Sequence, residues 1–387
     1  MTATTLFYII ITILILSFII DKILDTLNSS HYNDPIPVEL KDVYDHKEYQ
    51  KSQAYKKVND RFGSITSLVS LVATLAFFFL DGFAFVDKWA RTFSDNNIII
   101  ALIFFGSIML ASDILSTPFS YFHTFVIEER FEFNKTTIKT FFLDKAKGWL
   151  ISSLLGGLIL SIIIWFYEST GSNFWLYAWG MVAAFTFFMN MFYARLIVPL
   201  FNKQTPLEEG TLKTKIENYA QQVGFTLDKI FVIDGSKRST KANAYFSGFG
   251  NEKRVTLYDT LINDLEEDEI VAVLAHEVGH YKRKHIVFNL IASILTMGFT
   301  FWLLSLFIGS PILSEALNVT IPSFHIGLIA FGILYSPISE LTGLLMNFIS
   351  RKFEYQADNY AKNSFKAAPL ISGLKKLSKN SLSNLTP

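Results

Sequence analysis

Long uncharged apolar runs alternate along this chain with shorter stretches that carry nearly all of its charge. Residues 1–20 contain no charged side chain, and further apolar runs cover residues 62–80, 97–112, 148–167, 169–194, 286–308 and 324–349. Each is close to the ~20 residues a helix needs to cross a hydrocarbon core. The first run lacks a basic start and a small-residue cleavage site, so it reads as a retained span. Pro337 and Glu340 interrupt the last. The pattern predicts an α-helical polytopic membrane protein with seven crossings.

Lysine and arginine alternate between rich and poor loops. Lys22, Lys41, Lys47, Lys51, Lys56, Lys57 and Arg61 lie between spans one and two, whereas the next loop has only Lys88 and Arg91. The third loop carries Arg130, Lys135, Lys139, Lys145 and Lys147, and the loops after spans four and six carry none. The segment after span five is basic, and span seven ends on Arg351-Lys352. Basic loops stay on the cytoplasmic side. The N-terminus is therefore expected outside or in a lumen, with the segment after span five in the cytoplasm.

That segment, residues 201–285, is the main polar insertion. Residues 206–223 read as an amphipathic helix and 229–233 as a short strand, followed by an Asp234-Gly235-Ser236 turn. Residues 242–247 and 254–257 flank Gly248-Phe249-Gly250-Asn251 as a hairpin. Asn263 with Glu266 reads as an N-cap pair opening the next helix, which passes through Tyr281-Lys282-Arg283-Lys284 toward span six. The last twenty residues suggest a polar helix and a frayed end. The chain divides into an N-terminal membrane domain, residues 1–200, and a small α+β domain with the last two spans, residues 201–387.

Composition narrows the chemistry. The 387 residues are 51% hydrophobic with zero formal net charge and no cysteine. Disulfides, thiolate zinc sites and cysteine nucleophiles are excluded, and neutral charge gives no case for nucleic-acid binding. Asp113 and Glu340 lie within apolar spans, where a carboxylate is costly and faces a wet cavity or a hydrated span end. A channel or transporter using those two acids is one reading of the chain.

It leaves the helix at residues 271–280 unexplained. His276-Glu277-Val278-Gly279-His280 is H-E-x-x-H, which on a helix aims both histidines from one face. Such a pair can share one zinc ion, and Glu277 can take a proton from an activated water. Catalytic zinc sites usually have three protein ligands. His31, His46, His123 and His325 lie in other loops or near the opposite membrane face. His285 sits about 140° around an ideal helix from His280. Just past span seven, Glu354 and Asp358 are one turn apart. Spacing leaves two readings open: Glu354 on the zinc with Asp358 orienting a histidine, or a solvated pair beside Lys352. Upstream, an exposed strand edge at Asn243-Ala244-Tyr245 could pair with an extended peptide, the asparagine side chain donating and accepting.

His276-Glu277-Val278-Gly279-His280 together with Phe353-Glu354-Tyr355-Gln356-Ala357-Asp358 resembles the type I CAAX prenyl proteases, seven-span zinc metalloendopeptidases. The likeness extends through Tyr121, Phe125-Val126-Ile127-Glu128, Phe131 and Phe133-Asn134-Lys135-Thr136. It continues in Pro199-Leu200-Phe201-Asn202-Lys203, Thr205-Pro206-Leu207, Asp234-Gly235-Ser236-Lys237-Arg238-Ser239 and Asn243-Ala244-Tyr245-Phe246. The resemblance implies one zinc per chain with Glu354 as third ligand, Glu277 as catalytic base, substrate binding at Asn243 and Ala244, and a water-filled chamber enclosed by the helices. It implies peptide substrates, prenylated in eukaryotes, and an endoplasmic reticulum membrane there or an inner membrane in bacteria. A membrane quality-control protease with the same metal motif is the nearest alternative. Family members continue past the equivalent of Asn384-Leu385-Thr386-Pro387 with an S-H-P-like segment and a later arginine, expected to stabilise an oxyanion. A sequence ending at Pro387 is expected either to be a fragment or to use another group.

Overall fold

A computed structural model describes the chain apart from residues 33, 37, 39, 40, 42, 43, 226, 228, 248–252 and 383–387. The first half is helical: α1 (Ala3–Ser29), α2 (His46–Phe79), α3 (Gly82–Ala90), α4 (Asn97–Phe122), α5 (Ile138–Thr170), α6 (Phe174–Leu196) and a single turn, α7 (Val198–Phe201). Polar side chains set where the long helices start. Asn96 accepts from the N–H groups of Ile98 and Ile99, Thr137 from that of Thr140, and Asp45 forms a reciprocal cap with Glu48. These contacts satisfy donors that a helix start otherwise leaves orphaned.

Among the described residues, six continuous helical segments are long and apolar enough to cross a membrane. One of them, Ile138–Phe201, contains two long apolar helices, α5 and α6. The chain reverses at Gly171, where φ is 54°, through a tight turn at Gly171–Asn173. α5 and α6 then pack on each other, with Phe166 against Tyr177 and Tyr167 against Phe174. Seven apolar helices result, as the sequence pattern predicts.

The second half opens with β1 (Gln204–Pro206), α8 (Thr211–Gln222), β2 (Lys229–Ile233), β3 (Ala244–Ser247), β4 (Arg254–Tyr258), α9 (Asp259–Asp264) and α10 (Glu267–Lys282). It continues with α11 (His285–Phe307), α12 (Pro311–Glu315), α13 (Phe324–Ser364) and α14 (Ala367–Asn380). The sheet runs β1-β2-β4-β3. β3 and β4 pair antiparallel as the expected hairpin, but its Gly248–Asn251 turn lies outside the described residues. β2 and β4 are parallel, a long-range pairing that no local pattern announces. One core beneath the sheet joins Ile216, Phe225, Leu257, Leu261 and the apolar face of α10.

Three expectations are corrected. The amphipathic helix starts at Thr211, because Gln204–Pro206 pair with β2. Asn263 does not open the motif helix: it lies inside α9, and Glu266 caps α10 reciprocally with Glu269. Pro337 does not interrupt span seven, since α13 runs unbroken for 41 residues. A proline removes one backbone donor, a loss membrane helices tolerate when neighbours compensate. Of the two acids within apolar spans, Asp113 is met by Lys145 on α5, at 2.7 and 2.9 Å from its two oxygens. Glu340 accepts from Ser17 on α1 at 3.1 Å.

Candidate metal centre

α10 carries the motif on the side opposite its buried face, which takes eight of its sixteen positions. Ile270, Val271, Ala272, Leu274, Ala275 and Val278 enter the core. That leaves His276, Glu277 and His280 on the remaining face. Its N-terminus is held from three directions. Glu266 and Glu269 cap it, Lys215 on α8 reaches Glu267 and Asp268, and Glu269 is clasped by Ser372 and Lys376 of α14 at 2.6 and 2.8 Å. Three acids in the first turn also complement the positive end of the helix dipole.

α13 brings the carboxylates to this face. The three edges of the donor set are 3.1 Å between His276 Nε2 and His280 Nε2, 3.3 Å from His276 Nε2 to Glu354 Oε2, and 3.6 Å from His280 Nε2 to Glu354 Oε2. Two ligands on a tetrahedral ion with bonds of about 2.0–2.1 Å lie about 3.3–3.4 Å apart. The set therefore has the size of a zinc site. Two imidazoles and one carboxylate also match the protein ligand set of a catalytic zinc centre.

Behind the ligands, Asp358 Oδ1 lies 2.8 Å from His276 Nδ1. Its carboxylate accepts the Nδ1 proton and leaves the Nε2 lone pair facing the donor set. His285 is buried beside His280, with the two Nδ1 atoms 3.1 Å apart. Electrostatics favour the same protonation states. Burial pushes the His280 imidazole down, helped by His276 and opposed by Glu354, which favours the neutral form that metal binding requires. Burial also raises the Glu277 carboxyl above its ordinary range, with His276 opposing and Glu354 adding to the rise. A carboxylate raised in this way is suited to general-base work.

The other histidines are elsewhere. His325 lies 29 positions before Glu354 on α13, about 44 Å along an ideal helix, and bonds Asp87 at 2.7 Å. His31 pairs with Asp34, His46 with Gln50 and His123 with Asn59. Asn243 is exposed immediately before β3, its Oδ1 accepting from the Ala244 N–H at 2.8 Å and its carbonyl from the Tyr258 N–H at 3.0 Å. β3 ends the sheet order, so its outer edge has no strand partner among the described residues. Phe246 packs β3 against Tyr281 of α10.

Sequence reasoning missed the clasp that holds the loop before β3. Arg238 donates twice to Asp144 of α5, at 2.7 and 2.9 Å, and its carbonyl accepts from Lys135 N–H and Thr136 Oγ1. Lys241 reaches Glu128 and the Tyr55 hydroxyl. These partners are 94 to 186 residues apart, and no local signal pairs them. Residues 384–387, where the family's tail would begin, lie outside the described residues.

The comparisons with known proteins agree with this architecture. The family described as CAAX prenyl protease N-terminal, five membrane helices, matches residues 25–203, and peptidase family M48 matches residues 206–383. A CAAX prenyl protease 1 homolog of Oryza sativa subsp. japonica is 37% identical, covering 97% of this chain and 90% of that protein. CAAX prenyl protease 1 of Saccharomyces cerevisiae is 34% identical over 84% of this chain and 78% of its own. The Homo sapiens homolog is 31% identical over 90% and 83%. The crystal structure of S. mikatae Ste24p superposes with a TM-score of 0.94 at 33% identity, covering 99% of this chain and 94% of that one. The chain belongs to the type I CAAX prenyl protease family, membrane-embedded metalloendopeptidases of peptidase family M48.

Proposed function

We propose that this metalloendopeptidase holds one zinc ion on His276, His280 and Glu354 and cuts prenylated CAAX-type proteins near their C-terminus, releasing the aaX tripeptide. The observation that carries the metal assignment is the donor triangle, whose edges match a tetrahedral zinc. The substrate class is supported by relatives that bear the name CAAX prenyl protease across nearly the whole chain. Zinc, when bound, would acidify a water and polarise the scissile carbonyl.

The chain's own residues do the rest. Glu277 takes a proton from the attacking water and delivers it to the leaving amine. Asp358 holds His276 in the tautomer that presents Nε2. Asn243 and Ala244 begin an unpaired strand edge along which an extended peptide can add by backbone hydrogen bonds. The alternation of basic loops supports an N-terminus outside or in a lumen, with the site on the cytoplasmic side. In a eukaryote that membrane is the endoplasmic reticulum; in a bacterium, the inner membrane. Residues 1–200 then serve as the membrane enclosure and 201–387 as the peptidase part.

The direct test offers the detergent-purified chain paired peptides ending in a CAAX sequence, one farnesylated and one not, with products read by mass spectrometry. The reading expects an aaX tripeptide from the farnesylated peptide and much slower cleavage of its partner. Equal cleavage of both, at scattered positions, would overturn the CAAX assignment in favour of a quality-control protease.

A further inference from the structure

The two candidate ligands on α10 are oriented by different chemistry. His276 leans on a carboxylate, whereas behind His280 stands another imidazole. We propose that His285 is a positioning residue: its unprotonated Nδ1 accepts the Nδ1 proton of His280 and so fixes His280 as an Nε2 metal ligand. This inference rests on the metal-site reading above.

The proton positions follow from the geometry. A neutral imidazole carries one proton, and a ligand nitrogen carries none. If Nε2 of His280 belongs to the donor set, its proton sits on Nδ1. That nitrogen faces His285 Nδ1 at 3.1 Å. Two ring nitrogens can hydrogen-bond only when one bears the proton, so His285 must keep its own on Nε2. There it meets Gln356 Oε1 at 2.9 Å, a carbonyl oxygen that can only accept. Both links point the same way, from His280 through His285 to Gln356.

The surroundings hold the His285 ring in this role. It is 3% exposed and stacks on Phe353, with centroids 4.0 Å apart and planes 8° from parallel. Phe353 and Gln356 are three apart on α13 and so share a face. α13 thus supplies Glu354 to the donor set and a hydrogen-bond terminus behind it.

The backbone is bent to make the contact. On an uninterrupted helix, His285 would point about 140° away from His280. Instead the chain breaks between α10 and α11 at Lys284, with φ 62° and ψ 25°. L side chains avoid that region, and strain of this kind persists only where the surroundings enforce it. Here it turns the first residue of α11 back against the last histidine of the motif.

The test measures zinc affinity of the full chain in detergent, by competition with a chromophoric chelator, for wild type, His285→Phe, His285→Asn, Gln356→Met, Gln356→Glu and Glu354→Ala. Loss of an orienting partner typically weakens metal binding about 10–100-fold, and His285→Phe should fall in that range despite keeping a ring to stack on Phe353. His285→Asn offers Oδ1 where Nδ1 stood and should stay within about threefold of wild type. A packing role predicts the reverse order, and that order would overturn the proposal. Gln356 is exposed, so its variants report even if a His285 variant fails to fold: Gln356→Met should bind several-fold more weakly, and Gln356→Glu at least as tightly as wild type. Wild-type affinity in both Gln356→Met and His285→Phe also overturns the relay. If Glu354→Ala binds zinc as tightly as wild type, the metal-site reading fails instead.

Discussion

The Cβ that Gly279 lacks would sit 3.1 Å from both the Cα and the carbonyl oxygen of Ala357. This contact packs α10 on α13 beside the donor set, and both atoms are backbone that cannot rotate away. Gly279 lies one residue before His280, and Ala357 one residue before Asp358. The fourth position of the H-E-x-x-H core is therefore a spacer that sets how near Glu354 and Asp358 come to the histidines.

Gly279→Ala should push the two helices apart by a few tenths of an ångström. Overpacking of this kind costs about 1–3 kcal/mol, and the widened donor triangle should weaken zinc binding about tenfold. Thermal unfolding and chelator competition on the same sample would show both effects. A stable variant with wild-type affinity would mean that the glycine does not set the spacing.

Asp358→Ala should leave the fold intact, since the aspartate is half-buried at 45% side-chain exposure and bonds to His276. Zinc affinity should fall about 10–100-fold, because His276 would lose the acceptor that fixes its tautomer. Glu354→Ala removes a donor and should fall further. Equal, small losses in both would support a solvated acid pair beside Lys352.

The clasp on Glu269 predicts an acid limit to stability. Burial alone would raise this carboxyl, but Lys376, Ser372 and the Glu266 N–H outweigh it and hold the group below its ordinary value of 4.5. Between the folded and unfolded values the unfolded chain binds more protons, so stability falls as pH drops. The contribution is fully present above about 4.5 and is lost as pH falls through the folded value. Lys376→Met should cost about 1–3 kcal/mol near neutral pH by leaving a buried carboxylate short of its partner. It should also flatten the acid decline, which melting curves across that range would reveal. An unchanged acid decline would remove Glu269 from the account.

How much of this was legible depends on distance along the chain. The spans follow from residue-level hydrophobicity, and the two histidines from a helical spacing that Ile270, Val271, Leu274, Ala275 and Val278 enforce by burying the opposite face. Glu354 and Asp358 could be proposed because they sit one turn apart, but spacing could not separate ligands from a solvated pair. Packing adds that Gly279 against Ala357 brings both acids beside the histidines. The cap at Glu266 was misassigned by three residues because Asn263 is also a favourable cap; the short helix α9 and its turn take up the intervening chain. The place of His285 behind His280 needed the backbone break at Lys284, which no side chain announces. The parallel β2–β4 pairing and the Arg238–Asp144 clasp join residues that only the folded chain brings together.

The central claim is that zinc held by His276, His280 and Glu354 works with Glu277 as base. Its most direct test measures zinc content and peptide cleavage together in wild type and Glu277→Gln. Glutamine keeps the shape beside His276 but cannot accept the water proton. The account predicts one zinc per chain in both proteins, with cleavage by the variant reduced at least about 10²–10⁴-fold. Cleavage at the wild-type rate by a zinc-loaded Glu277→Gln, or a fully folded wild-type chain that binds no zinc, would contradict it.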